Sequence, residues 1–249
     1  MSKKILALAL VLALALTVVS FASAEVEVGD TVTFGVYEQD NDLDNGKEPI
    51  EWDVLAVKNG KALLASKYVL DAKPYNKKYT SVRWADSSLR KWLNGSFMNK
   101  AFTDEEKAAI ATTKVDNSRK QRYYYYTNGG KSTKDQVFVL SFREVYNKYT
   151  DTYLQRRVSA TEYAKAQGVV TYTGSDLAYW WLRNPGWDYK TAQAVQWTGE
   201  RLSPDGRQAQ KEKNDDPSVH RYYATRVNNP DIGVRPALWV DVDAVTEMR

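Results

Sequence analysis

The chain has 249 residues, with 35 Lys and Arg against 31 Asp and Glu, one His, 8 Trp, 17 Tyr and no Cys. The missing thiol excludes a cysteine nucleophile, a thiolate metal centre and disulfide staples. With His220 as the sole imidazole, a zinc site of several histidines is impossible and any Ser-His-Asp triad has to run through that residue.

At the start of the chain, Lys3 and Lys4 precede an unbroken apolar run from Ile5 to Leu16, and the small triplet Ala22-Ser23-Ala24 follows. This is the pattern of a secretory signal peptide over residues 1–24, cleaved after Ala24. The strictly apolar run has 12 residues, short of the roughly 20 that a spanning helix requires. The expectation is a secreted, extracellular product, not held at a membrane after cleavage, with one domain over residues 25–249. Taking Lys3 and Lys4 from the 35 basic residues leaves 33 against 31 acidic ones, a formal balance of +2. So small an excess gives little pull on nucleic acid or anionic lipid.

From Thr31 the chain alternates, with Val32, Phe34 and Val36 on one face, which predicts a half-buried strand. Ile50, Trp52 and Val54 alternate likewise, and Leu55-Ala56-Val57 and Ala62 to Ala65 flank Asn59-Gly60, the signature of a hairpin with a type I′ turn. A helix is expected from Asp86, with Leu89, Trp92 and Leu93 on one face and a stop at Asn94-Gly95. Three capping boxes pair Thr103 with Glu106, Ser141 with Glu144 and Ser159 with Glu162, each marking a helix start. The polar stretch from Lys114 to Asp135 reads as a long surface loop or a short hairpin. Val137 to Leu140 reads as a buried strand. Strand signals return at Tyr179 to Arg183, Ala192 to Trp197 and Val234 to Val240, with a charged loop at Lys211 to Pro217. Strands, then helices, then strands predict a single-domain α+β fold, mostly antiparallel with a few short helices, whose terminal strands are free to meet in one sheet.

Several segments carry a family resemblance. They are Pro49 to Leu55, Leu63 to Lys67, Ser87 to Asn94, Ala101-Phe102-Thr103, Val137 to Ser141, Trp180 to Arg183 and Gly233 to Trp239. In this order they are similar to a family of secreted bacterial modules known as domain of unknown function 6273, over about residues 32–240. That family brings no established activity. A more distant resemblance is to the C-type-lectin-like fold of sulfatase-modifying proteins. There an Arg-bearing strand lies near a late Gly-aromatic-Arg strand, places that Trp181 to Gly186 and Gly233-Val234-Arg235 would take. The oxidising enzymes of that group depend on cysteines, which this chain lacks, and fold likeness transfers no function.

Among candidate sites the aromatic cluster stands out: Trp180, Trp181, Trp187, Tyr189 and Trp197, interleaved with Arg183, Asn184 and Asp188. Trp and Tyr faces offer flat apolar platforms with polar rims, suited to sugar rings, and Arg adds a rigid fork for hydroxyl or carboxylate groups. In a strand Trp180 and Leu182 share one face, Trp181 and Arg183 the other. With Leu182 inward, Trp181 and Arg183 face outward or into a cleft. The ligand-binding set is therefore read as Trp181, Arg183, Trp187, Tyr189 and Arg235, although Arg235 in its apolar strand also reads as a buried ion-pair residue.

Asp40, Asp42, Asp44 and Glu51 stand at positions 1, 3, 5 and 12 of a calcium-loop template. Asn45 replaces the required Gly, Pro49 intrudes and the flanks read as strands, so an acidic loop is the preferred reading and no metal or other cofactor is assigned. Arg119, Lys120 and Arg122 followed by Tyr123 to Tyr126 form a basic, aromatic stretch, read as a solvated loop and not a nucleic-acid platform. His220, beside basic and loop-forming residues, reads as a surface histidine. No catalytic residue is assigned, since no catalytic motif places a carboxylate pair, a nucleophile or a phosphate loop. The expected function is a secreted, non-enzymatic binding module for a glycan or cell-surface partner. A polysaccharide hydrolase with a carboxylate pair and a purely structural surface protein are the alternatives.

Overall fold

The computed structural model describes residues 25–121, 127–199 and 224–247. The signal-peptide reading, Arg122 with Tyr123 to Tyr126, the charged segment Lys211 to Pro217, and His220 all fall outside the described residues.

The first strand, β1 (Thr31–Tyr37), alternates as expected only as far as Phe34. Its register against β2 (Glu48–Lys58) shifts between Thr33 and Val36. Gly35 sits at the shift with φ +70°, and a side chain there would be strained and would run into the Phe102 ring. The inserted residue exchanges the faces, so Val36 turns outward and Tyr37 inward. On β2, Ile50, Trp52 and Val54 are buried as the alternation predicted, each such side chain contributing about 1.5–3 kcal/mol. Asn59 and Gly60, both at positive φ, turn the chain into β3 (Lys61–Ser66), and β4 (Asp71–Ala72) follows.

Ser87 caps α1 (Ser88–Trp92), accepting a hydrogen bond from the Arg90 amide at 3.2 Å. The expected stop at Asn94-Gly95 does not occur. The chain continues through a widened turn, Leu93–Phe97, into α2 (Met98–Ala101), because Leu93 and Phe97 are both buried and hold it in place. Asn94 serves as a tether instead: its Nδ2 donates to the Val137 carbonyl at 2.7 Å and its Oδ1 accepts from the Gln136 amide at 2.9 Å. Two of the three capping boxes form, at the starts of α3 (Asp104–Ala109) and α4 (Phe142–Glu144). The third does not. Thr161 caps α5 (Glu162–Ala166), while Ser159 pairs with Leu177. Both hydroxyls were available; the strand-like pairing of Ser159 leaves Thr161 to start the helix.

β5 (Thr113–Val115) and β6 (Thr133–Asp135) pair antiparallel, so the polar stretch is a hairpin with a long connection. The remaining strands are β7 (Val137–Phe138), β8 (Trp180–Pro185), β9 (Thr191–Val195), β10 (Ala224–Arg226), β11 (Gly233–Val234), β12 (Ala237–Asp241) and β13 (Thr246–Glu247). They form a six-stranded sheet in the order β13-β1-β2-β3-β12-β7 and a five-stranded sheet in the order β10-β9-β8-β11-β4. Among the named strands every pairing is antiparallel except that of β11 with β8. The terminal strands do meet, Val32 opposite Glu247. The expected strand Val234 to Val240 is two strands. The chain leaves the smaller sheet after Val234 and enters the larger at Ala237, crossing at Arg235-Pro236.

One apolar core joins both sheets and the short helices. The described residues form a single α+β domain, and among them no helix is long and apolar enough to cross a membrane.

Candidate functional site

The aromatic cluster divides at Gly186. On its N-terminal side β8 is the middle strand of the five-stranded sheet, and every residue from Trp180 to Pro185 is buried. The alternation argument that sent Trp181 and Arg183 outward therefore fails, because both faces of the strand are covered. Trp180 Nε1 donates to the Arg156 carbonyl at 3.3 Å. Trp181 Nε1 donates to the Lys73 carbonyl at 2.8 Å, its ring edge-on to Tyr75 at 5.7 Å. Both indoles have found the partner that a buried N–H demands.

Arg183, 2% exposed, spans Glu144 with two nitrogens, Nη2 reaching Oε1 at 2.8 Å and Nη1 bonding Oε2. The same nitrogens donate to the carbonyls of Val139 and Asp116, both at 3.1 Å. Glu144 is also the acceptor of the α4 capping box. Burial would raise its carboxyl, but the Arg183 charge and hydrogen bonds, with Ser141, hold it below the usual range. Arg183 is thus a structural strut and not a ligand fork.

Arg235 is likewise buried, as its ion-pair reading required, and its partner is now visible. Nη2 reaches Asp53 Oδ2 at 2.8 Å, Nε donates to the Ser66 carbonyl at 2.7 Å, and the guanidinium lies 5.0 Å from the Trp180 ring centre. Burial lowers its pKa and Asp53 opposes that shift. It fastens the crossing between the sheets and does not present itself to a ligand.

Beyond Gly186 the surroundings change. The backbone there is pressed against Thr191 and Ala224, leaving no room for a side chain, and the turn that follows projects from the sheet. Trp187 is 46% exposed, and its carbonyl accepts from Thr127 Oγ1 at 2.9 Å. Tyr189 is half-buried. Its hydroxyl accepts from Arg83 Nη2 at 3.0 Å, and the Arg83 guanidinium lies over its ring at 4.5 Å. Alongside, Lys190 and Arg226 each lie 5.4 Å from the ring centre of the exposed Tyr79. Asp188 shapes the turn: its carboxylate accepts from the Lys190 amide at 2.8 Å and the Thr191 hydroxyl at 3.1 Å.

Of the five residues read as ligand-binding, the structure brings only Trp187 and Tyr189 to an accessible surface; Trp181, Arg183 and Arg235 are interior. Trp197, the last of the cluster, stacks on Tyr172 with ring centres 3.9 Å apart. Tyr79, Arg83 and Arg226 complete the exposed surface, and sequence reasoning missed them. No local motif marks them: Tyr79 and Arg83 share one segment, far in the chain from the turn and from Arg226.

The Asp40 to Glu51 template does not assemble either. Glu51 is drawn to Lys67 at 2.6 Å, and Asp40 and Asp42 accept the amides of Asp42 and Asp44 within the loop.

The fold and this surface define a cysteine-free α+β domain that displays an aromatic and cationic turn. A family model matches residues 59–242. The chain belongs to the family described as domain of unknown function 6273. No curated protein and no solved structure matches it.

Proposed function

We propose that the chain is a secreted, non-enzymatic binding module of C-type-lectin-like build that recognises a glycan or a cell-surface partner. The single observation that carries the reading is the exposed turn around Trp187 and Tyr189, where aromatic rings are interleaved with Arg83, Lys190 and Arg226. An indole or phenol face takes the C–H side of a sugar ring, and planar or ammonium cations at its edge take hydroxyl or carboxylate groups. Among the described residues named at this turn, three cations stand against Asp188, which favours sugars that bear an acidic group. The lectin-like build is supported by the neighbouring strands β8 and β11, which bring the Arg183 strand beside Gly233-Val234-Arg235. Export is supported by the N-terminal pattern of residues 1–24.

The test is a glycan array with solution titration of the leading ligands. Trp187→Ala and Arg83→Ala are expected to weaken binding by about tenfold or more while the protein stays folded. Unchanged binding in both variants, or release of reducing ends from a bound polysaccharide, would overturn the reading.

A further inference from the structure

A second cluster lies away from this turn, where β1 runs into the loop before β2. One carboxylate oxygen from each of Glu38, Asp40 and Glu48 lies within 4.8 Å of the other two. Oxygens that each sit about 2.4 Å from one calcium ion are at most twice that distance apart, so the three fit the shell of a single hard cation.

The side chains differ in what already holds them. Asp40 is exposed, and its oxygens accept from the Asp42 amide and from Asn45 Nδ2, each at 2.8 Å. Glu48 Oε2 accepts from the Gln39 amide at 2.6 Å. Glu38 is only 9% exposed; its carboxylate accepts from the Asn41 amide and lies against the Asp40 carboxylate, while its Oε1 is shielded from solvent with no hydrogen-bond donor to meet it. A buried carboxylate oxygen left unpaired is costly unless something unseen meets it. Among the described residues none of the three carboxylates forms an ion pair with a Lys or Arg. Burial, followed by the neighbouring Glu48 charge, raises the Glu38 carboxyl above its ordinary range.

We propose that Glu38, Asp40 and Glu48 form a calcium site, with Glu38 as its inner ligand and Asp40 as its solvent-facing one. All the donors are oxygen, which suits a hard ion and not zinc or copper. The open side at Asp40 admits water to complete a shell of about six to eight oxygens. This ligand set differs from the sequence template: it shares Asp40 but replaces Asp42, Asp44 and Glu51 with Glu38, just past β1, and Glu48, the first residue of β2. A tightly fitting octahedral magnesium shell is less suited to one buried oxygen just past β1, one carboxylate in the loop and one at the start of β2.

Titrating the chelator-treated full chain with calcium chloride, followed by calorimetry, tests the site. One saturable site is expected, with a Kd of about 10⁻⁴ to 10⁻³ M as in extracellular calcium modules. Glu38→Gln and Asp40→Asn should each weaken it by about tenfold or more, and Glu51→Gln should leave it unchanged. Asp40 is exposed, so its variant keeps the test valid if the Glu38 variant does not fold. The proposal is overturned by the absence of saturable binding, by wild-type affinity in Asp40→Asn, or by loss of binding in Glu51→Gln alone.

Discussion

Strand β8 and the turn that follows it are built from the same kinds of residue and do opposite work. Trp180, Trp181 and Arg183 are sealed between layers, while Trp187, Tyr189 and Lys190, a few residues later, stand at the surface with Arg83. What separates them is cover on both sides of a central strand, which composition does not reveal. An Arg inside the molecule spends its fork on Glu144 and backbone carbonyls. An Arg outside it lies on a tyrosine ring at an exposed position, donating to the Tyr189 hydroxyl and the Asn128 carbonyl.

The largest expected effect comes from the interior. Arg183→Met removes the partner of a carboxylate that is mostly out of water and should cost about 3–5 kcal/mol, read as a shift of the urea midpoint at unchanged slope. A loss below about 1 kcal/mol would mean that Glu144 finds water or another donor, and the contrast with the turn would shrink.

Acid sharpens the same point with a smaller effect. The Glu144 carboxyl is held below its ordinary value in the folded chain, so its contribution is complete above about pH 4.3, the unfolded value. It is lost as pH falls through the lower folded value, because folded protein must then take up a proton at the Arg183 bridge. The pH dependence of the urea midpoint below about 4.3 should therefore be shallower in Arg183→Met than in wild type.

The smallest effect belongs to the turn. Trp187→Ala is expected to change stability by less than about 0.5 kcal/mol, measured by the same unfolding curve. A cost comparable to that of Arg183→Met would place Trp187 with the interior tryptophans and break the comparison.

Much of the frame was readable in the residues. The Asn59-Gly60 hairpin, two of the capping boxes and the pairing of the terminal strands follow from local turn and cap chemistry and from the run of elements. The misreadings share a cause, which is tertiary context overriding a local signal. Asn94-Gly95 has the residues of a helix end, yet buried neighbours on both sides carry the chain through. Gly35 inserts a bulge that inverts the faces of β1, and a period of two cannot announce it. At the site, Trp187 and Tyr189 were legible as aromatic residues near a turn. Arg83, Tyr79 and Arg226 were not, because the segment that carries Tyr79 and Arg83 meets the turn and the end of β10 only in the folded chain, where the Val82 amide donates to the Tyr189 carbonyl and the Asn76 amide to the Val227 carbonyl. Glu38 was not legible for a related reason: it directly follows β1, ahead of the run of acidic residues that begins at Asp40.

Arg235 and Pro236 are the whole passage from one sheet to the other, with no slack between Val234 and Ala237. Ser66, at the end of β3, accepts from the Arg235 side chain and donates its amide to Pro236. Loosening either layer therefore pulls directly on its neighbour. Hydrogen exchange would register the pair as a single foldon, in which amides on β8 and β3 become accessible in the same opening event.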